Sequence, residues 1–344
     1  MTDREILNLA LPLIREWYAA NARPLPWRED PSPYHVWLSE IMLQQTRIET
    51  VIPYYRRFLE AAPDLAALAG LEEERLHKLW EGLGYYSRVR NLQKAARLVM
   101  EQYEGQLPAS AEELRKLPGI GEYTAGAIAS IAFSLPEPAV DGNVLRVTAR
   151  LLASREDVLS PSVRKKITAL LREFYPSGKD AGLLTQGLME LGETLCAPGG
   201  EIRCGQCPVS HLCRAGQAGQ PSLYPVRTAP KPRSIRERTV LLLRCRGKYA
   251  IQQRPARGLL AGLWEFPALE RTCSREELQQ LFPTAETILS CGKAKHLFSH
   301  VEWHMTGFLL ELPRQLPDWR WASPEEIRGV YSFPTALRAY LKQI

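Results

Sequence analysis

The chain has 344 residues, enough for two domains rather than a single core. Its 45% hydrophobic and 24% charged content is that of a globular protein, and no apolar run reaches the ~18 residues that would read as a membrane helix. The net charge of +6 suits a polyanionic partner without identifying one. The N-terminus is acidic and amphipathic, unlike a signal peptide, so a cytoplasmic, nucleoid-associated location is expected.

Residues 1–22 read as one amphipathic helix, with Ile6, Leu9, Leu13, Ile14 and Trp17 on the buried face. A polar, proline-containing stretch from Asn21 to Pro33 follows and holds Pro26-Trp27-Arg28. Ser32-Pro33 then opens a second helix that runs to Thr46, a capping hydroxyl with proline in the first turn. Glu40 sits on it among Trp37, Ile41 and Leu43. Taken alone, Glu40 is either a carboxylate facing water on an amphipathic helix or a carboxyl whose pKa is raised by desolvation, suited to act as an acid.

The stretch Trp37-Leu38-Ser39-Glu40-Ile41-Met42-Leu43-Gln44-Gln45-Thr46 resembles the segment carrying the catalytic glutamate in the MutY family of adenine DNA glycosylases. Further on, Trp80-Glu81-Gly82-Leu83-Gly84-Tyr85-Tyr86-Ser87-Arg88 is similar to that family's GLGYY loop. Aromatics in a glycine turn beside arginines either stack on bases or belong to the core.

Glu113 to Leu117 reads as helical and is followed by Leu117-Pro118-Gly119-Ile120-Gly121, after which an apolar helix begins. Glycines there allow positive φ and leave amides uncovered at a helix start, a ready anion site. Asp141 stands twenty residues after Gly121, at the entrance to another apolar helix. Singly, the turn is a tight helix–helix connection and the aspartate an N-cap. Together they resemble the helix-hairpin-helix DNA glycosylase superfamily. That resemblance makes the anion a DNA phosphate, with Gly119, Gly121, Gln45 and Tyr85 as DNA contacts.

Residues 162–195 continue as helices, and four of the seven cysteines follow: Cys196, Cys204, Cys207 and Cys213. In a cytoplasmic chain such a cluster reads as metal ligation rather than disulfides, and zinc would accept four thiolates. The one-after-another spacing, with Pro208 after the third cysteine, resembles the [4Fe–4S] loop of the glycosylase superfamily. The first gap is one residue longer than the family's, within a loop containing Gly199 and Gly200. The resemblance implies a structural cluster, shaping a basic loop with Arg203 and Arg214 for phosphates.

Residues 217–238 contain Pro, Gly, Ser and several arginines without apolar period, and read as a linker able to touch the DNA backbone. Beyond it, strands are expected at Thr239–Leu243, Tyr249–Gln253 and Trp303–Leu310. Helices are expected at Ser274–Phe282, Ser323–Arg328 and Thr335–Gln343, giving an α+β domain. Gly258 to Pro267 is similar to the Nudix-like C-terminal domain of MutY proteins, but the Arg-Glu and Glu-Glu metal-binding residues of a working Nudix box are read as absent after it. The expected architecture is therefore a mostly α helix-hairpin-helix glycosylase domain over 1–216, with the cluster loop at 196–213, and a smaller Nudix-like lesion-recognition domain over 239–344.

The resemblance implies excision of undamaged adenine paired with 8-oxoguanine or guanine in double-stranded DNA, by a monomer. Adenine leaves poorly unless a ring nitrogen is protonated, and the sugar left behind carries oxocarbenium charge. One carboxyl held neutral and one held ionised meet both needs. Glu40 matches the family's general acid, and Asp141, bonded to helix amides, should stay anionic. Tyr123 and Asn143 match positions beside these carboxyls, and Arg28 and Gln186 match the adenine pocket. Bifunctional relatives such as endonuclease III carry a lysine where Tyr123 stands, so no lyase nucleophile is evident. Phe298-Ser299-His300 matches the family's loop on 8-oxoguanine; read alone, it is a turn between strands. An endonuclease III-like glycosylase/lyase and a non-catalytic lesion-binding protein are the competing readings.

Overall fold

The computed structural model describes residues 1–229 and 232–344. Pro230 and Lys231, inside the expected linker, lie outside the described residues. The chain divides into two compact units, Met1–Gly70 with Asn91–Ala229, and Leu71–Arg90 with Pro230–Ile344. Leu71–Arg90 thus groups with the C-terminal part of the chain, although it stands within the first 216 residues.

The first unit is helical. Thr2 and Glu5 form a capping box at the start of helix Asp3–Asn21. That helix buries Ile6, Leu7, Ala10, Leu11, Ile14 and Tyr18. Leu9, expected on this face, is 50% exposed. The buried stripe is turned because helix Lys179–Thr194 packs on this helix, with Gly187 against Ile14 and Tyr18. Helix Gly142–Leu152 completes this core with Val144, Leu145, Val147 and Leu151.

The hairpin joins the short helix Ala111–Leu114 to helix Glu122–Ile131. Gly119 carries φ +80, the left-handed conformation expected of it. Gly121 does not: its φ of −90 and ψ of −177 are extended, because it serves as the N-cap of the second helix.

The second unit is built on a mixed sheet of seven strands: β1 Ser234–Cys245, β2 Lys248–Gln253, β3 Trp264–Glu265, β4 Ala268–Leu269, β5 Thr287–Leu297, β6 Val301–Glu311 and β7 Arg320–Ala322. The order is β3-β2-β1-β6-β5, with β4 on β1 and β7 on β2. β1 and β6 run parallel and the other pairs antiparallel. Two apolar clusters fill its faces, one around Trp303, Phe266 and Tyr340, the other around Leu241, Leu243 and Leu310. β1 begins at Ser234, five residues before the expected start, so the last part of the expected linker is sheet. There Arg238 is buried and paired with Glu265 and Glu270, which removes it from the set of linker arginines for phosphate.

Candidate active site

Helix Pro33–Leu43 is capped by Ser32, whose Oγ accepts from the His35 amide, and buries eight of its eleven residues. Glu40 is one of them, 7% exposed. Loss of solvent pushes its carboxyl up to about 7. A hydrogen bond donated by the Tyr123 hydroxyl to Oε2 opposes the shift, the nearby Asp141 charge adds to it, and Arg28 opposes it.

Asp141 is the N-cap of helix Gly142–Leu152. Oδ1 accepts from the Val144 amide and Oδ2 from Asn143 Nδ2, both at 2.8 Å. Burial nevertheless raises its pKa above the ordinary aspartate value, against the pull of these donors and of Arg146. The donors all favour the charged form, but they act in a site that disfavours charge. Asn143 is itself held, since its Oδ1 accepts from Arg146 Nη2 at 2.8 Å. Arg146, buried, also donates to the Gly192 carbonyl at 2.7 Å and the Cys196 carbonyl at 2.9 Å.

Glu40, Tyr123, Asp141, Asn143, Arg28, Gln186 and Gln45 line one cavity of 690 Å³. Gly119 and Gly121 line a neighbouring cavity of 320 Å³, where Gln44, Tyr123 and Arg164 also stand. Gln45 has φ +57, so the chain turns sharply just past the Glu40 helix.

Three residues of this site had no sequence signal. Glu190, 2% exposed, accepts from Arg28 Nη2 at 2.7 Å and from Arg23 through Nε and Nη2. Burial raises its pKa, but the two arginines outweigh burial and hold it below the ordinary value. Tyr18 reaches Gln186 from the first helix, and Arg146 ties Asn143 to the cysteine loop. Glu190 and Tyr18 find their partners more than 160 residues away, and Arg146, though three residues from Asn143, joins it to Cys196 fifty residues on, so no local motif announces these ties.

Cys196, Cys204, Cys207 and Cys213 line a 230 Å³ cavity, and none is in a disulfide. Among the described residues no three His, Cys, Asp or Glu side chains are gathered to hold a metal ion. Four thiols on one cavity are a donor set for either a zinc ion or an iron–sulfur cluster. Arg150 Nη1 donates to Cys196 Sγ at 3.1 Å and to the Cys196 carbonyl at 2.8 Å. Arg203 is exposed, but Arg214 is committed to Asp3 at 2.6 Å and to the Met1 and Leu152 carbonyls.

In the second unit, helix Glu73–Trp80 leads into the glycine turn. The tyrosines divide: Tyr85 is 48% exposed with φ +47, whereas Tyr86 is buried. Phe298, Ser299 and His300 form the turn between β5 and β6, closed by the Phe298 amide donating to the Val301 carbonyl at 2.9 Å. Phe298 packs edge-on against Trp303, leaving Ser299 and His300 exposed. An Arg275-Glu276-Glu277 triplet follows the Gly258–Pro267 segment and opens helix Arg275–Leu281. Glu277 closes a capping box with Ser274 and pairs with Arg271, and Glu265 is paired with Arg254 and Arg238. Among the described residues no helix is long and apolar enough to cross a membrane.

Residues 38–176 match the HhH-GPD superfamily of base excision DNA repair proteins, and residues 239–343 match the NUDIX domain. The adenine DNA glycosylase of Homo sapiens is 36% identical over 380 residues, covering 90% of this chain and 69% of that protein. The adenine DNA glycosylase of Buchnera aphidicola subsp. Schizaphis graminum is 32% identical, covering 87% of each. Among solved structures, a thermostable thymine-DNA glycosylase superposes with a TM-score of 0.56 and 25% identity, over 62% of this chain and 98% of that one. A trapped endonuclease III–DNA covalent intermediate gives 0.53 and 25%, over 64% and 99%.

Proposed function

The chain belongs to the adenine DNA glycosylase family of base excision repair enzymes, and from that membership we propose that its substrate is adenine paired with 8-oxoguanine or guanine in duplex DNA. One observation carries the chemistry: a carboxyl pushed up to about 7, Glu40, shares a cavity with Asp141, whose bonds favour its ionised form.

Glu40 gives its proton to a ring nitrogen of adenine. The bond between base and sugar then breaks, and its electron pair leaves with the base. Asp141 stabilises the cation at C1′, and water adds there and gives up a proton to the Glu40 carboxylate, leaving an abasic site and free adenine. Tyr123 orients the Glu40 carboxyl and Asn143 the Asp141 carboxyl. Arg28 and Gln186 hold the base. With a phenol rather than an amine at position 123, the site supplies no Schiff-base nucleophile, so the enzyme is monofunctional.

The duplex is held through the hairpin at Gly119 and Gly121 with Gln45, and Tyr85 stacks on bases. Phe298, Ser299 and His300 read the opposing base. The labour divides along the chain, with excision in residues 1–216, lesion reading in 239–344 and a connecting stretch at 217–238. The protein acts as a monomer in the cytoplasm. Four thiols around one cavity fit a [4Fe–4S] group held by Cys196, Cys204, Cys207 and Cys213. Its contribution is structural, stiffening the loop that Arg146 and Arg150 grip.

A duplex with one 8-oxoguanine:A pair tests the reading. Strand cleavage at the adenine only after alkali is expected. Cleavage without alkali would reveal a lyase, and binding without cleavage a lesion-binding protein; either result overturns the proposal.

A further inference from the structure

We propose that Tyr18 is a positioning residue that fixes the amide of Gln186, and through it the enzyme's selectivity for adenine among purines. The inference rests on Gln186 lining the base pocket.

Gln186 stands between two spaces. On one side is the 690 Å³ cavity of Glu40 and Asp141. On the other is a second cavity of 650 Å³, which Gln186 shares with Tyr18, Arg28, Leu25 and Ile131. A glutamine with room on both sides is free to swing back from the pocket or to exchange its oxygen and nitrogen ends. Neither happens here. The Tyr18 hydroxyl donates to Gln186 Oε1 at 3.0 Å, and Gln186 Nε2 donates to the Gly182 carbonyl at 3.2 Å.

These two bonds allow one orientation only. A carbonyl oxygen accepts and never donates, so the end facing Gly182 must be the NH2. The oxygen then faces Tyr18, which must donate. One acceptor lone pair and one N–H remain for a base. That is the complement of adenine, whose amino group donates beside a ring nitrogen that accepts.

The packing around Tyr18 is built for this reach. Tyr18 is 3% exposed, and burial pushes its phenol up to about 12, so the hydroxyl keeps its proton. A side chain at Gly187 would sit 3.0 Å from Tyr18 Cβ and 3.2 Å from the Ile14 carbonyl, so glycine there lets the two helices close on one another. The Tyr18 ring also lies under the Arg28 guanidinium, 5.2 Å away. One side chain thus supports both residues assigned to the base.

Tyr18→Phe removes the hydroxyl and keeps the ring, the helix contact and the stack under Arg28. Single-turnover excision is measured on duplexes carrying adenine or unsubstituted purine opposite 8-oxoguanine. Each is measured in wild type, Tyr18→Phe, Gln186→Met and the double variant. The expected result is a fall of about 3- to 10-fold in the adenine rate, the scale of one hydrogen bond. The adenine-to-purine ratio should shrink as well. In the Gln186→Met background the Tyr18 change should cost nothing further, which a merely structural role would not produce. Equal losses in both backgrounds, or an unchanged ratio, overturn the proposal. Failure of the wild type to excise adenine would instead overturn the reading of the function.

Discussion

The hydroxyls of Tyr85 and Ser299 lie 2.9 Å apart, although 214 residues separate them. Tyr85 holds φ +47 in a turn where Gly84 has φ +71, a backbone kept in a sparsely populated region. Such strain persists only where surrounding contacts enforce it. Ser299 stands at the tip of the β5–β6 turn, whose Phe298 is anchored on Trp303. Two side chains proposed to contact DNA therefore meet.

From that contact, Ser299→Ala should reduce the preference for 8-oxoguanine over guanine as the base opposite adenine. One lost base-edge contact is worth ~1–3 kcal/mol, or roughly 5- to 150-fold in the ratio. Tyr85→Phe should lower the same ratio, because Ser299 loses the partner that orients its hydroxyl. The readout is kcat/KM on the two duplexes at matched salt. A ratio that stays at its wild-type value in Ser299→Ala would assign lesion reading to other residues.

Glu40→Gln should slow base excision by on the order of 10²–10⁴-fold while mismatch binding survives. The same substitution should stabilise the fold above neutral pH. Burial raises the Glu40 pKa from 4.5 to about 7, so the native state binds more protons than the unfolded chain between those values. The stability deficit of the wild type grows as pH rises through that window and is absent below about 4.5. It amounts to roughly 3 kcal/mol at pH 8, at 1.36 kcal/mol per unit. Thermal melts of the two proteins should therefore diverge at pH 8 and converge near pH 4.5. A melt of Glu40→Gln below wild type at pH 8 would deny that Glu40 is held against its charge.

Much of this site is written locally. Glu40 within an apolar helix, the hairpin before Tyr123, Asp141 ahead of Val144 and the four cysteines each occupy a short stretch whose chemistry can be read in place. What escapes is the second layer. Glu190 looks like any helical glutamate until Arg23 and Arg28 fold over it, and Tyr18 looks like a core aromatic. Strand β5 carries no legible bounds in the sequence because its side chains are mostly exposed, leaving no apolar alternation to find. Leu9 misleads for the opposite reason: the 3.6-residue period allows more than one apolar stripe, and only the neighbouring helix selects between them.

The pH dependence of single-turnover excision should be bell-shaped. Above about 7 the rate should fall, as Glu40 loses the proton it must deliver. On the acid side the rate should fall as Asp141 becomes protonated, at a pH above the ordinary aspartate value of 3.8 because burial raises it. Asn143→Ala removes a donor to the Asp141 anion, so the acid limb should move to higher pH while the alkaline limb stays. A displaced alkaline limb with a fixed acid limb would reverse the assignment of acid and anion.

Glu190→Ala should leave two arginines facing one another without their shared carboxylate. Breaking a buried pair by removing one partner costs ~3–5 kcal/mol, and the partial exposure of Arg23 puts the loss near the low end. The rate should fall too, because Arg28 would lose its charged partner and keep its bond to the Arg23 carbonyl and its place over Tyr18. Glu190→Gln, which retains an acceptor for Arg28, should recover part of the stability. If the melting temperature of Glu190→Ala matches wild type, the network is dispensable for folding.

Metal analysis should find about four irons per chain and a brown protein, with zinc absent in stoichiometric amount. The motivation is that all four cysteines border one cavity. Arg150 faces Cys196 Sγ, and Arg146 and Arg150 both hold the Cys196 carbonyl. Arg146 also grips Asn143, so disorder in the cysteine loop has a direct route to the residue that orients Asp141. Cys196→Ser should accordingly lower iron content and excision together, with the defect worst in the chemical step. One zinc per chain after anaerobic purification would show that the sulfurs close on a single ion. The extra residue in the first cysteine gap would then be the feature that allows them to do so.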